Sequence, residues 1–175
     1  MEVNITEIPI REKIRHLFND YYPTVYRTAY RITGRTDDAE DILQTVFLKL
    51  VQLEKSVDFP ENPTAYLYRA TVNSSLDLLR RKKRWKIFSL NEDSNLSTSD
   101  HIYPVEQQEI HDQLRAALIN LSALESKVFI MKYFENMSNT EISEILETSS
   151  NNINVALHSA RKKLKKKLFK YLERT

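Results

Sequence analysis

The sequence predicts an all-α protein of two small helical domains joined by a flexible linker. Three observations carry this. Apolar residues recur at three- and four-residue steps over most of the chain, the spacing of one buried helix face. Two Ser-x-x-Glu capping boxes, Ser122 with Glu125 and Ser138 with Glu141, each stand ahead of an apolar run. Between the periodic halves the chain reads SLNEDSNLSTSDHIYP over residues 89–104, polar and without period, which is the composition of a linker. The predicted divisions are residues 1–88, 89–105 and 106–175.

The first helix is expected over Glu12 to Thr33, where Ile14, Leu17, Phe18, Tyr21, Val25, Ala29 and Ile32 form one stripe and Tyr22, Tyr26 and Tyr30 line an adjoining face. Gly34 ends it, and Thr36 is a candidate cap for the next. The second helix, Asp37 to Glu54, buries Ala39, Ile42, Leu43, Val46, Phe47, Leu50 and Val51. Its opposite side carries Asp37, Asp38, Glu40, Asp41, Gln44, Thr45 and Lys49. Acids in a first turn suit the helix dipole, and the same side is also a candidate protein-docking face. A short loop with Phe59 and Pro60 leads to a third helix, capped by Asn62 with Pro63 at its first position. Val72, Leu76 and Leu79 are its buried stripe, and it ends in RRKKRWK at residues 80–86, six positive charges in seven residues. One or two cations satisfy a helix C-terminus; six point to a polyanion, and Arg80, Arg81 and Arg84 are candidate phosphate contacts.

The second half opens with the stripe Ile110, Leu114, Ala117, Leu118 and Leu121. The first capping box starts a helix in which Val128, Phe129, Ile130, Met131, Tyr133 and Phe134 are expected to supply most of the core. The second box starts a short helix with Ile142, Ile145 and Leu146. Glu147 and Thr148 form a turn, and Ser149 or Ser150 caps a long last helix buried through Ile153, Leu157, Ala160, Leu164 and Leu168. A short helix, a tight turn and a longer helix with a polar N-terminal face is the helix-turn-helix plan. Its second helix would present Ser150, Asn151, Asn152 and Asn154 to a major groove, where Asn suits adenine. Arg161, Lys162, Lys163, Lys165 and Lys166 would then lie near phosphates. A plain helical hairpin with a polar cap fits the same spacing.

The formal net charge of +2 conceals segregation: residues 1–79 carry −3, 80–87 +6, 88–160 −8 and 161–175 +7. Two compact basic blocks end two acidic segments, which suggests two separate contacts with nucleic acid. With no cysteine, disulfides, thiolate zinc sites and cysteine nucleophiles are excluded. A single glycine leaves neither a P-loop nor a Rossmann fingerprint. The four histidines show no metal-ligand spacing, so neither metal nor cofactor is expected. No apolar run reaches membrane-span length and the N-terminus lacks signal-peptide order, so a cytoplasmic protein without membrane insertion is expected.

Taken together, these stretches resemble the extracytoplasmic-function (ECF) sigma factors, the small members of the sigma-70 family of bacterial RNA polymerase. The resemblance runs from about Leu17 to Leu168. It is carried by DAEDILQTVF at Asp38 to Phe47, by the YLYRATVN…D…LRR pattern at Tyr66 to Arg81, and by LSALESKVFIMKYFENMSNTEISEIL at Leu121 to Leu146. The resemblance implies that Asp38, Asp41, Gln44 and Thr45 dock core RNA polymerase, both β and β′ subunits being partners. It implies that Phe59, Tyr66, Arg69, Asn73, Arg80, Arg81 and Arg84 recognise and melt the promoter −10 element. Asn73 falls at a family position tied to that contact, and Tyr66 stands where a tryptophan is common. The −35 element would be read by Ser150, Asn151, Asn152, Asn154, His158, Arg161 and Lys162. The acidic linker would thread toward the polymerase active site, and an anti-sigma factor is a candidate partner. Glu147 stands where the family usually has a glycine, and Asn154, Ala156 and Ser159 replace residues that are often basic.

The resemblance implies that the chain is not an enzyme and acts by binding core polymerase and promoter DNA. Two other readings differ in class. A stand-alone helix-turn-helix regulator would bind duplex DNA without polymerase, and a metal nuclease built on Asp37 and Asp41 would cleave it with a divalent ion.

Overall fold

The computed structural model describes residues 10–53, 59–88 and 105–172, with side chains for 11–53, 59–85 and 109–169. The acidic linker, the start of the loop before the third helix and Lys86 lie outside the described residues or side chains. The fold is all-α. Among the described residues there are seven helices: α1 Ile10–Thr33, α2 Thr36–Leu53, α3 Pro63–Phe88, α4 Val105–Leu118, α5 Ala123–Tyr133, α6 Asn139–Ile145 and α7 Ser150–Leu172.

Each boundary has a local cause. Gly34 adopts φ +74, the left-handed conformation glycine takes without strain, and its N–H donates to the Tyr30 carbonyl at 2.7 Å to close α1. Thr36 is the first residue of α2 rather than a cap ahead of it. Asn62 caps α3 as expected, its side chain accepting from the Ala65 N–H at 3.0 Å. Both capping boxes form: Ser122 with Glu125 opens α5, and Ser138 with Glu141 opens α6.

Helices α1, α2 and α3 enclose one core of Ile14, Val25, Ala29, Ala39, Ile42, Val46, Phe47, Leu50, Leu67 and Leu78. A second core joins Leu118, Leu121, Val128, Ile130, Met131, Ile142, Ile153, Leu157, Ala160 and Leu164. Helix α3 serves both. Leu67 and Leu78, eleven residues and so about three turns apart, share the face toward α1 and α2. Val72 and Leu76 project from the next face into the second core, and Ile32 at the end of α1 joins them. The stripe expected to anchor α3 in its own unit is therefore the one on which the C-terminal helices sit. Four residues expected inside are exposed: Phe18, Val51, Ile110 and Tyr133, whose hydroxyl and ring instead meet Arg161 of α7. Phe18 stacks on Tyr22 and meets the edge of Phe47, so it covers the first core from outside.

Candidate polymerase and nucleic-acid surfaces

On α2, Asp41, Gln44 and Thr45 fall within about one turn of each other and all face solvent. Asp38, expected to share that exposed side, does not. It is 6 % exposed, and both its carboxylate oxygens accept from Lys82 Nζ of α3, at 2.6 and 2.7 Å. Asp38 lies in the first turn of α2, about two turns before Thr45 and on nearly the same face, but there Lys82 of α3 covers it and keeps its charge paired. Leu48 and Val51 extend the exposed edge C-terminally, Leu48 being 61 % exposed. Sequence reasoning passed over Leu48 and counted Val51 as core. The available signal was that Leu48 sits one turn after Gln44, on the polar side of the helix.

The α3 residues Tyr66, Arg69, Asn73, Arg80 and Arg84 recur at three-, four- and seven-residue steps and form one stripe. Phe59 and Tyr66 are half-buried against the first core, and burial pushes the Tyr66 hydroxyl above its ordinary pKa. Arg69 is paired with Glu147 of the turn before α7. Asp77 holds Arg80 at 3.3 Å, while Arg81 and Arg84 are exposed at the basic end beside Trp85. The six-charge run is thus distributed around the helix. Lys82 turns inward to Asp38, and Lys83 donates to the Asn120 side chain at 2.8 Å.

Helices α6 and α7 form the expected helix-turn-helix. Glu147 takes φ +51, a left-handed value that favours glycine, and the Thr148 N–H donates to the Ser143 carbonyl at 3.0 Å. Ser149 is the cap of α7: its hydroxyl accepts from the Asn152 N–H at 3.2 Å. Ser150, Asn151, Asn152, Asn154, His158, Arg161 and Lys162 are all exposed along one length of α7. Some are held in place. The Asn152 amide donates to the Thr148 hydroxyl at 3.1 Å, and Asn154 accepts from Asn139 of α6 at 2.7 Å. Arg161 donates to the Tyr133 hydroxyl and lies 5.5 Å over that ring.

Lys163, expected near phosphates, is turned away from them. It clasps both oxygens of Glu125 at 2.7 and 2.8 Å, and Ser159 donates to the same carboxylate at 2.5 Å. Burial alone would raise the Glu125 carboxyl. The hydrogen bonds from Lys163, Ser159 and the Ser122 main chain outweigh it and hold the pKa at about 2. Val155, which sequence reasoning missed, is 62 % exposed among the asparagines, an apolar side chain on an otherwise polar face.

Among the described residues no cluster of three or more histidines and carboxylates is arranged to hold a metal ion, and no helix is long and apolar enough to cross a membrane. The polar chemistry of these surfaces is donors and cations suited to phosphate and base edges, with one acidic edge on α2.

Comparison with known proteins agrees with this layout. Residues 17–85 match the Sigma-70 region 2 family and residues 111–164 the Sigma-70, region 4 family, each falling within one helical unit. The RNA polymerase sigma factor YlaC of Bacillus subtilis (strain 168) is 26 % identical over 166 residues, covering 93 % of this chain and 96 % of the relative. The ECF RNA polymerase sigma factor SigW of the same organism is 26 % identical over 159 residues, covering 85 % and 84 %. The same fold occurs in the Bartonella quintana sigma factor RpoE, solved in complex with the anti-sigma factor NepR. That match has a TM-score of 0.57 and 19 % identity, over 90 % of this chain and 97 % of that one. Two sigma-70 regions in order, over helices that form an acidic edge, a basic stripe and a helix-turn-helix, place the chain in the sigma-70 family as an extracytoplasmic-function sigma factor.

Proposed function

We propose that this chain gives core RNA polymerase its promoter choice through three surfaces. The exposed edge of α2, with Asp41, Gln44 and Thr45 at its polar end and Leu48 and Val51 at its apolar end, docks core enzyme. An edge of this mixed kind buries apolar area while its polar groups set register. Phe59 and the α3 stripe of Tyr66, Arg69, Asn73, Arg80 and Arg84, with Arg81, bind the −10 element. Cations draw the backbone in, and the aromatic residues at the other end of the stripe offer stacking faces to unpaired bases. The N-terminal part of α7 reads the −35 duplex, its asparagines toward base edges and Arg161 and Lys162 toward phosphates.

The work is done by binding energy: duplex opening is driven by the difference in affinity between melted and paired −10 DNA. A cytoplasmic site of action and the divisions 1–88, 89–105 and 106–175 go with this reading. An anti-sigma factor remains a candidate partner, as the Bartonella relative is bound by one. The observation that carries the proposal is the acidic edge of α2 beside the basic stripe of α3: a stand-alone helix-turn-helix regulator has no use for either. The test is transcription from a genomic promoter library by core polymerase with and without the purified chain. Specific new start sites support the proposal. Tight operator binding in the absence of polymerase, with no new starts in its presence, overturns it in favour of the stand-alone regulator.

A further inference from the structure

Resting on the assignment of α7 to the −35 duplex, the hydrogen bonds that its asparagines make inside the protein decide what each can offer a base. Asn154 stands within the exposed length of α7, with Asn151 about one turn before it and His158 about one turn after. Its side-chain oxygen is already engaged: the Nδ2 group of Asn139 donates to Asn154 Oδ1 at 2.7 Å. Asn139 is the first residue of α6 and sits on firm backbone. The capping box of Ser138 and Glu141, with bonds of 2.7 and 3.2 Å, fixes the turn in which it lies.

The Asn139 side chain does little for α6 itself. It is half-buried, and its Oδ1 is shut off from solvent with no hydrogen-bond donor among the described residues. A buried oxygen left in this state costs stability that an apolar side chain would not cost. The opposite orientation of the amide is worse, since it would bury an unpartnered N–H2 group in the oxygen's place. Among the described residues, the bond to Asn154 is the one its side chain makes, so the use of Asn139 is to be sought there.

A planar amide carries its oxygen and its nitrogen on opposite sides of Cγ. With Oδ1 drawn to α6, the Nδ2 group of Asn154 is the part left to face a groove, and it holds donors only. An unrestrained Asn pairs with adenine through one donor and one acceptor, giving to N7 and taking from N6. Held by Asn139, Asn154 turns its acceptor away. It then suits a base that presents a keto oxygen in the major groove: guanine, with N7 and O6, or thymine, with O4. The amino groups of adenine and cytosine would meet its N–H2 group donor to donor. We propose that Asn139 is a positioning residue for promoter choice: by holding Asn154 Oδ1 it sets that asparagine to select guanine or thymine, and to reject adenine and cytosine, at one position of the −35 element.

Two substitutions test this in opposite directions. Asn139→Ala removes the hold. Asn139→Asp is nearly isosteric and suits the first turn of a helix, but its carboxylate only accepts, so it draws in the Nδ2 group of Asn154 and turns Oδ1 outward. Selection of −35 sequences from a randomised library by the chain with core polymerase locates the position, as the one where Asn154→Ala erases the preference. There the unmodified chain is expected to favour guanine or thymine over adenine by about fivefold or more. Asn139→Ala is expected to bring adenine to within about twofold, and Asn139→Asp to invert the preference toward adenine or cytosine. Neither variant shifts the position read by Asn151, and neither has an effect in an Asn154→Ala background. An unchanged preference in both Asn139 variants overturns the proposal. So does an unmodified chain that favours adenine or cytosine there, or an Asn154→Ala variant that alters no position. Urea unfolding separates positioning from support of the fold: Asn139→Ala is expected to be as stable as the parent or more so, because the orphaned oxygen goes with it. Lost stability with base preference intact makes Asn139 structural and overturns the proposal. Initiation with no −35 preference at all in the unmodified chain instead sinks the assignment of α7, and this inference with it.

Discussion

Lys82 of α3 closes on both oxygens of Asp38 at the start of α2, at 2.6 and 2.7 Å. The carboxylate is almost wholly buried while the lysine is half-exposed. Removing the cation leaves a buried charge, and removing the carboxylate releases a lysine into the basic run. Asp38→Ala is therefore expected to destabilise the protein by about 1–3 kcal/mol, below the value for a fully buried pair because Lys82 retains water. Asp41→Ala with Gln44→Ala, on the exposed edge, is expected to leave stability within about 0.5 kcal/mol and to weaken core-polymerase association. Urea unfolding and pull-down with core enzyme separate the two effects. A stable Asp38→Ala protein with lost polymerase binding would place Asp38 back on the docking edge.

The Glu125 carboxyl, held at about 2 against 4.5 in an open chain, contributes stability that is present above the open-chain value and is lost as the pH falls from about 4.5 toward 2. With Lys163 half-exposed and screened, that contribution is on the order of 1–2 kcal/mol. Glu125→Gln is expected to lower stability at pH 7 and to leave a shallower loss between pH 5 and 3. Parallel pH–stability curves for the two proteins would show that the carboxylate contributes nothing specific.

Most of the helical plan is written locally, and so was legible in the sequence. Gly34, Asn62, Ser122 and Ser138 stop or start helices through contacts within four residues. The exposed polar length of α7 was legible for the same reason: its neighbours Ile153, Leu157, Ala160 and Leu164 fix the buried side. The partners of long side chains were not. Asp38 and Lys82, Arg69 and Glu147, and Glu125 and Lys163 are separated by dozens of residues, and an i, i+4 pattern carries no information about which face meets which. The double use of α3 was hidden similarly. Val72 and Leu76 read as buried, correctly, but a periodicity has no label for the core that buries them.

Gly34 serves the end of α1 by its backbone conformation and leaves room for an arginine beside it. Its φ of +74 strains any residue with a Cβ, and a Cβ there would overlap the guanidinium of Arg115, which caps α1 from the other unit. Gly34→Ala is expected to cost about 2–3 kcal/mol, from left-handed strain plus the displaced hydrogen bond, and to lower Tm by roughly 4–12 °C. In an Arg115→Ala background the same substitution is expected to cost less by about 1 kcal/mol, since the clash and the bond are already gone. Calorimetry of the four proteins closes the cycle. Additive costs would mean that Arg115 and Gly34 do not meet in solution.

Lys82 and Lys83 are engaged by Asp38 and Asn120, whereas Arg81 and Arg84 are exposed and Arg80 meets the exposed Asp77. Replacing the three arginines by Ala is expected to weaken promoter binding by the polymerase complex and to flatten its dependence on salt. The slope of log K against log salt falls by about 2–3, at 0.7–0.9 per phosphate lost. Lys82→Ala acts through Asp38 instead and is expected to change stability with a nearly unaltered slope. Filter binding across a salt series distinguishes them, and an unmoved slope for the triple variant would remove these arginines from the phosphate path.

On α7, Asn151 and Val155 are exposed one turn apart at the end of the helix that would enter the groove. Asn154 is already engaged by Asn139 at 2.7 Å, so it has less freedom to pair with a base. On the proposed −35 role the two classes of base contact would fall on different residues: an adenine edge on Asn151 and a thymine methyl on Val155. Asn151→Ala is expected to cost about 1–3 kcal/mol, or roughly 5- to 150-fold, against the preferred −35 sequence and to relax selectivity at one position only. Val155→Ala should relax a neighbouring position by a smaller factor, because one methyl contact is lost and no donor is left unpaired. Selection of −35 sequences from a randomised library, done with each variant in the polymerase complex, gives the positions directly. If both substitutions lower binding to every sequence alike, α7 holds the backbone and its specificity lies elsewhere on the helix.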